Sequence, residues 1–236
     1  MTLPESKTPN RRRVLFASLT AGRDQCSIGN ALSGVKAQMS LLRLPVHLEF
    51  RFERDLGSAL DHFFLHPEFD ALVAVDNLIS YTDAWVIENA LGHDDKPIVV
   101  ATYPLPGEVD WDRVRAKAAD AGEPNHAKGN VYNVVIDEHA SFTPDGRFLI
   151  VDRARLDCVV IKREAIADIA ARHPELVHAG GILAHCERLR DGKKLTRDEA
   201  FCDLWGKPIY ADLEHPASSF GTQVFAGVVG LRTRLR

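Results

Sequence analysis

Apolar residues along this chain alternate between short unbroken runs and helical spacings. Val14–Leu19 is a short apolar run ending at Thr20-Ala21-Gly22, which predicts a buried strand entering a glycine-containing turn. Ser27 is placed to cap a helix over Ile28–Leu42, where Ile28, Ala31, Leu32, Val35, Met39 and Leu42 recur at steps of three and four. Pro45 opens a second strand, Val46–Phe52, with alternating Val46, Leu48, Phe50 and Phe52. Leu56, Leu60, Phe63 and Phe64 mark a helix that stops at Pro67. Phe69–Val75 is apolar enough to be a strand covered on both faces.

Asp83–Leu91 then predicts a helix with Gly92 past its end, and Pro97–Thr102 a strand finishing at Tyr103-Pro104. Gly107–Asn130, rich in charge, Gly, Pro and Asn, is expected to be a mobile insertion with one helix at Asp110–Ala121. Val131–Ile136 and Phe148–Val151 are expected strands, with Pro144-Asp145-Gly146 turning between them. Leu156–Ile161 is a further strand and Lys162–Ala171 a helix. Gly180–Arg190 before Asp191-Gly192 suggests a small antiparallel ribbon; Thr196 caps a helix to about Leu204, and Pro208–Ala211 is a short strand.

Strands alternating with helices in this order imply an α/β fold with a mostly parallel central sheet flanked by helices. Such sheets bind ligands at the carboxyl ends of their strands. That rule points at Thr20–Gly22, Asp76-Asn77 and Tyr103-Pro104. The expected organisation is a disordered lead over 1–13, one domain over 14–227 and a basic C-terminal tail over 228–236.

Composition narrows the function classes. The chain has 236 residues, 45% hydrophobic and 26% charged, with a formal net charge of −4 and a pI near 6.2. A balance this acidic gives no reason to expect a nucleic-acid partner. No stretch approaches the roughly 20 apolar residues of a membrane span. Met1–Arg13 has no apolar core of a secretion signal, so a cytoplasmic protein is the default expectation. Cys26, Cys158, Cys186 and Cys202 form no CxxC pair, and no HExxH, GxSxG, P-loop or GxGxxG is present.

Three residues carry candidate chemistry. Asp76 ends an apolar strand where a cation or sugar hydroxyl could be held, or simply begins the turn. Asp198 lies in the first turn of a helix, where the dipole favours an anion and where a general base could also stand. His215 is a potential metal ligand or an ordinary loop histidine.

Taken together, the segments resemble GT-A glycosyltransferases of the family-2-like kind. Phe64-Leu-His-Pro-Glu-Phe-Asp-Ala-Leu-Val-Ala-Val-Asp76 is similar to that family's FL, apolar strand and D-x-D. Lys96-Pro-Ile-Val-Val-Ala-Thr-Tyr-Pro104 resembles its strand ending in Y-P, and Val151-Asp152 with Val159-Val-Ile-Lys-Arg-Glu164 its V-D and I-R-R-E. Leu195-Thr-Arg-Asp-Glu-Ala-Phe-Cys202 resembles S-E-D-x-x-F-C, and Leu213-Glu-His215 the later L-x-H. The likeness spans roughly residues 14–227. Departures accompany it: Leu78 replaces the second aspartate of D-x-D, Arg155-Leu156-Asp157 replaces Gly-Thr-Gly, and Arg197 replaces the glutamate of E-D.

The resemblance implies a GT-A (Rossmann-like) fold, with residues 14–104 binding nucleotide and 131–227 binding acceptor. It implies transfer of a sugar from a nucleotide-sugar donor to a glycan, lipid-linked or other hydroxyl acceptor, with inversion rather than retention. Thr20, Asp76, Asn77 and Arg155 would then contact the donor. Asp76 and His215 would hold a divalent cation, Mn2+ or Mg2+, and Asp198 would be the catalytic base. The missing carboxylate at Leu78 leaves open a catalytically inactive protein of this fold that binds a nucleotide sugar, a glycan or a partner.

Overall fold

The computed structural model describes residues 12–20, 46–76, 79–109, 130–215 and 217–219. The expected helices at Ile28–Leu42 and Asp110–Ala121, and the residues Asn77 and Leu78, lie outside the described residues, as do most of the lead and all of the tail. An eight-stranded sheet forms the centre. Its strands are β1 (Arg12–Leu19), β2 (Val46–Glu53), β3 (Ala71–Asp76), β5 (Ile98–Ala101), β8 (Ser141–Phe142), β9 (Phe148–Val151), β10 (Cys158–Lys162) and β15 (Ile209–Asp212). They lie in the order β2-β1-β3-β10-β5-β15-β9-β8, and β4 (Ile79–Ser80) with β16 (Ser218–Ser219) and β11 (Val177–His178) with β12 (Gly181–Ile182) form short antiparallel pairs of their own. β10 is antiparallel to both β3 and β5, and β9 to both β15 and β8, so six strands point one way and two the other.

The alternation visible in the sequence decides both faces. Leu15, Leu72, Ala74, Ile98, Val100, Val159 and Ile161 point to one core, which Leu60 and Phe63 of α1 (Leu56–Leu65), Ile166 and Ile169 of α3 (Arg163–Arg172) and Phe201 and Trp205 of α4 (Arg197–Trp205) complete. Phe16, Val73, Val75, Val99 and Val160 point to the other, against Trp85, Val86 and Ala90 of α2 (Asp83–Leu91). Each large side chain so buried contributes roughly 1.5–3 kcal/mol.

Several expected boundaries move for identifiable reasons. β1 starts at Arg12, where Arg12 Nη1 donates to Leu91 O and Arg13 N–H to Asp70, giving the basic residues partners. The chain past Tyr103 continues as β6 (Pro104–Val109), paired with β7 (Asn130–Tyr132), so strand runs beyond Gly107. β7 stops short of Ile136 because Asn133, buried at 2% exposure, turns its amide onto the backbone: Nδ2 donates to Ala101 O at 2.8 Å and Oδ1 accepts from Tyr103 N–H at 3.0 Å. Gly180–Arg190 is broken by a 3-10 turn, Leu183–His185. The ribbon is β13 (Arg188–Arg190) with β14 (Lys193–Leu195), closed by Asp191 and Gly192 at φ 50° and 76°, the left-handed pair a two-residue hairpin needs.

Asn133→Ala is expected to lower stability by roughly 2–4 kcal/mol, because two buried backbone groups lose their partners. Urea unfolding checks this, and a loss below about 1 kcal/mol contradicts the bracket role.

The edge opposite the carboxyl ends of the parallel strands is closed by basic side chains. Lys162 Nζ donates to Ala90 O at 2.8 Å and Gly92 O at 3.1 Å, and Arg163 donates to Phe69 O and His66 O. Burial lowers the Lys162 ammonium to about 8, outweighing the carboxylates nearby. A cation held below its unfolded value of about 10.5 binds fewer protons when folded. Stability therefore rises with pH from about 8 to 10.5, and the cost is fully present below that window. Lys162→Met should flatten this rise, which spans up to about 3 kcal/mol; an unchanged slope in urea unfolding at pH 8 and pH 10 contradicts the assignment.

Candidate active site at the carboxyl edge

β1, β2 and β3 end in register, Leu19 beside both Glu53 and Asp76. Thr20, just beyond, is tied to β2: its N–H donates to Glu53 O at 2.9 Å and its hydroxyl to the same oxygen at 3.3 Å. Asp76 is half-buried at the end of β3. Its N–H donates to the carbonyl of Asp157 at 2.6 Å. Because β10 runs against β3, the residues preceding β10, Arg155-Leu156-Asp157, arrive at this edge.

That segment also meets α4. Leu156 N–H points at Asp198 Oδ2 at 3.4 Å, and Arg155 N–H donates to Asn133 O at 2.7 Å. Asp198 is in the first turn of α4, behind a reciprocal cap in which Thr196 accepts from Glu199 N–H and Glu199 accepts from Thr196 N–H. The helix start favours its negative charge. Its other oxygen, Oδ1, lies 2.8 Å from His185 Nε2. Asp198 and Arg155 border a cavity of about 430 Å3 with Asn133, Thr196 and Glu199, a volume within the range of small-ligand sites.

Asp157 is a member of this edge to which no role was assigned from sequence. Its Oδ2 accepts from Tyr103 OH at 2.5 Å, and Arg155 Nε stands 3.9 Å away. Burial pushes the Asp157 carboxyl up, the charge of Asp198 adds to this, and the Tyr103 bond and Arg155 act against it. Burial and the Asp157 charge push the Tyr103 hydroxyl well above its ordinary value, so it stays a donor. The signal was a tyrosine leaving β5 and an aspartate entering β10, two ends that only the antiparallel insertion of β10 brings together.

His215 is held elsewhere along the same edge. Glu88, Glu214 and His215 offer ligand atoms within 4.8 Å of one another, a set that could hold a metal ion. Its two carboxylates are the hard oxygen donors that Mg2+ and Mn2+ prefer, whereas an imidazole is more usual with Zn2+ and later transition metals. His215 Nε2 is 3.3 Å from Glu88 Oε1, and Arg147 reaches Glu88 at 2.7 Å and Glu214 at 3.2 Å. Burial works to raise Glu88, but Arg147 and His215 outweigh it and hold the carboxyl low. Asp212, fully buried beneath, accepts from Asn89 and from the N–H groups of Glu214 and His215. Glu88, Arg147 and Asp212 were not singled out from sequence, being spread over more than 120 positions.

A larger cavity, about 650 Å3, lies at the opposite edge beside Arg12, Lys162 and Arg163. These cations are already engaged on backbone carbonyls, so they are spent on the fold.

No family model matches the chain, and no curated protein does. Three solved structures align over most of it. Protein A197 from STIV is 17% identical with a TM-score of 0.48, over 89% of this chain and 86% of its own. The T. maritima inositol-1-phosphate CTP transferase is 8% identical with a TM-score of 0.40, over 90% of both chains. HddC from Yersinia pseudotuberculosis, complexed with GMP-PN, is 9% identical with a TM-score of 0.37, over 95% of this chain and all of its own. At such values the likeness bears on neither substrate nor mechanism.

What the edge can do follows from its groups. A carboxylate at a helix start beside a cavity can take a proton from a hydroxyl. A second carboxylate, Asp76, stands on the other side of the segment 155–157, where a phosphate-bound cation could be met.

Proposed function

We propose that this chain is a glycosyltransferase that moves a sugar from a nucleotide-diphosphate donor to an acceptor hydroxyl with inversion. One observation carries the reading: the segment Arg155-Leu156-Asp157 is bonded on one side to Asp76 and on the other to Asp198. In this reading Thr20, Asp76, Asn77 and Arg155 face the donor, and the cavity beside Asp198 takes the acceptor. A divalent cation, when bound, would neutralise the diphosphate as it leaves; Asp76 is its proposed ligand, and His215, which stands with Glu88 and Glu214 and apart from Asp76, is the competing position. Asp198 removes the proton of the acceptor hydroxyl while its oxygen attacks the anomeric carbon. The proton ends on Asp198 and the bonding pair leaves with the diphosphate.

Incubation with a panel of UDP- and GDP-sugars and Mn2+ tests this. Release of nucleoside diphosphate, slow with water and faster with sugar or lipid-linked acceptors, is the expected result. Tight donor binding with no release would leave the non-catalytic nucleotide-sugar-binding protein, and the absence of any nucleotide binding would remove the transferase and favour a protein of this fold that binds a glycan or a partner.

A further inference from the structure

We infer that His185 is a positioning residue for Asp198, holding the base through a neutral Nε2–H; the role rests on the reading of Asp198 given above. The imidazole is 8% exposed, and its Nε2 lies 2.8 Å from Asp198 Oδ1. Its Nδ1 is buried and has no hydrogen-bond partner among the described residues. An imidazolium would carry a second N–H at Nδ1, buried without an acceptor, which is costly. The neutral form with hydrogen on Nε2 leaves only an unpaired lone pair there.

A neutral donor orients Asp198 without cancelling its charge. Asp198 thus keeps one oxygen fixed by His185 while the carboxylate stays available beside the cavity bordered by Arg155 and Thr196. Two carboxylates, Asp198 and Asp157, stand near the ring and favour an imidazolium, and the buried Nδ1 without an acceptor opposes them. Other charges, Asp55, Asp61, Glu187, Arg54 and Arg197, border a second, smaller cavity of about 290 Å3 that His185 also lines.

The fold holds the ring firmly. His185 ends the 3-10 turn Leu183–His185, and the residue before that turn, Ile182, donates its N–H to Asp61 Oδ1 of α1 at 2.8 Å. Gly181 sits at φ 142°, where any Cβ would fall 2.1 Å from the same oxygen. The turn is thus fastened to α1 on one side while the imidazole reaches α4 on the other.

The test pairs kinetics with spectroscopy. His185→Ala is expected to lower kcat by roughly 10–100-fold, the scale of a hydrogen bond to a charged group, with donor KM nearly unchanged. His185→Gln, whose amide N–H can stand near the Nε2 position, should recover most of that loss; equal loss in both variants, with both folded, overturns the role. Nitrogen-15 NMR of the free protein is read without any substrate. Hydrogen on Nε2 and not Nδ1, with a signal that shifts in Asp198→Asn, is expected whatever reaction the protein catalyses. An imidazolium, hydrogen on Nδ1, or a signal indifferent to Asp198→Asn overturns the inference even if sugar transfer is observed.

Discussion

Asp198→Asn is expected to lower turnover by about 10²–10⁴-fold, the usual contribution of a general base, while donor affinity stays nearly intact. The substitution keeps the side chain's size, and its amide oxygen can still accept from His185 Nε2. What it removes is the charge that takes the acceptor proton. It also removes a favourable charge at the start of α4, which at an exposed helix end is worth about 0.3–1 kcal/mol. The capping pair Thr196 and Glu199 remains, so the helix should persist. Steady-state rates and donor titration calorimetry separate the effects. Unchanged turnover returns Asp198 to a helix-dipole residue, and a proportional loss of donor binding makes it a contact rather than a base.

The second large effect concerns the cation. Asp76→Asn should weaken Mn2+-dependent binding of UDP or GDP by at least about 10–100-fold, the scale seen when even outer-shell partners of a metal are lost. Glu88→Gln is the informative companion. Glu88 faces His215 but also Arg147, whose guanidinium already offsets its charge. If the cation is carried by the diphosphate to Asp76, Glu88→Gln leaves nucleotide binding within a few-fold of the parent. The reverse pattern would assign the metal to Glu88, Glu214 and His215 and leave Asp76 as a turn residue.

The fold was legible where burial follows a local period. β1, β3 and β5 each send alternate residues to two covered faces, and their runs of Val, Ile, Leu and Ala announce this directly. Helix limits were equally local: Thr82 caps α2 at Trp85 N–H and Gly92 follows it, while Thr196 and Glu199 close the cap of α4. The position of β10 between β3 and β5 was not legible, because nothing local to Cys158–Lys162 says which neighbours it will pair or in which direction. That insertion is what brings Asp157 to Asp76 and Tyr103.

The candidate site divides in the same way. Asp76 and Asp198 stood out because each closes or opens an element, a position read from adjacent residues. His185 did not, since its value depends on a bond across 13 positions and on burial in a turn between α1 and α4. Asn133 likewise looked like one more residue of a strand, yet its amide replaces two ladder bonds at the exit of β5.

The central claim is that a nucleoside diphosphate binds at the carboxyl edge between Asp76 and the Asp198 cavity. Crystals soaked with UDP or GDP and Mn2+ test it most directly, because anomalous scattering locates the metal and the phosphates locate the donor. Phosphates and manganese beside Asp76, with the Asp198 cavity left open for an acceptor, are the expected result. Nucleotide lodged among Arg12, Lys162 and Arg163 at the opposite edge, or manganese on Glu88 with no phosphate near Asp76, would contradict it.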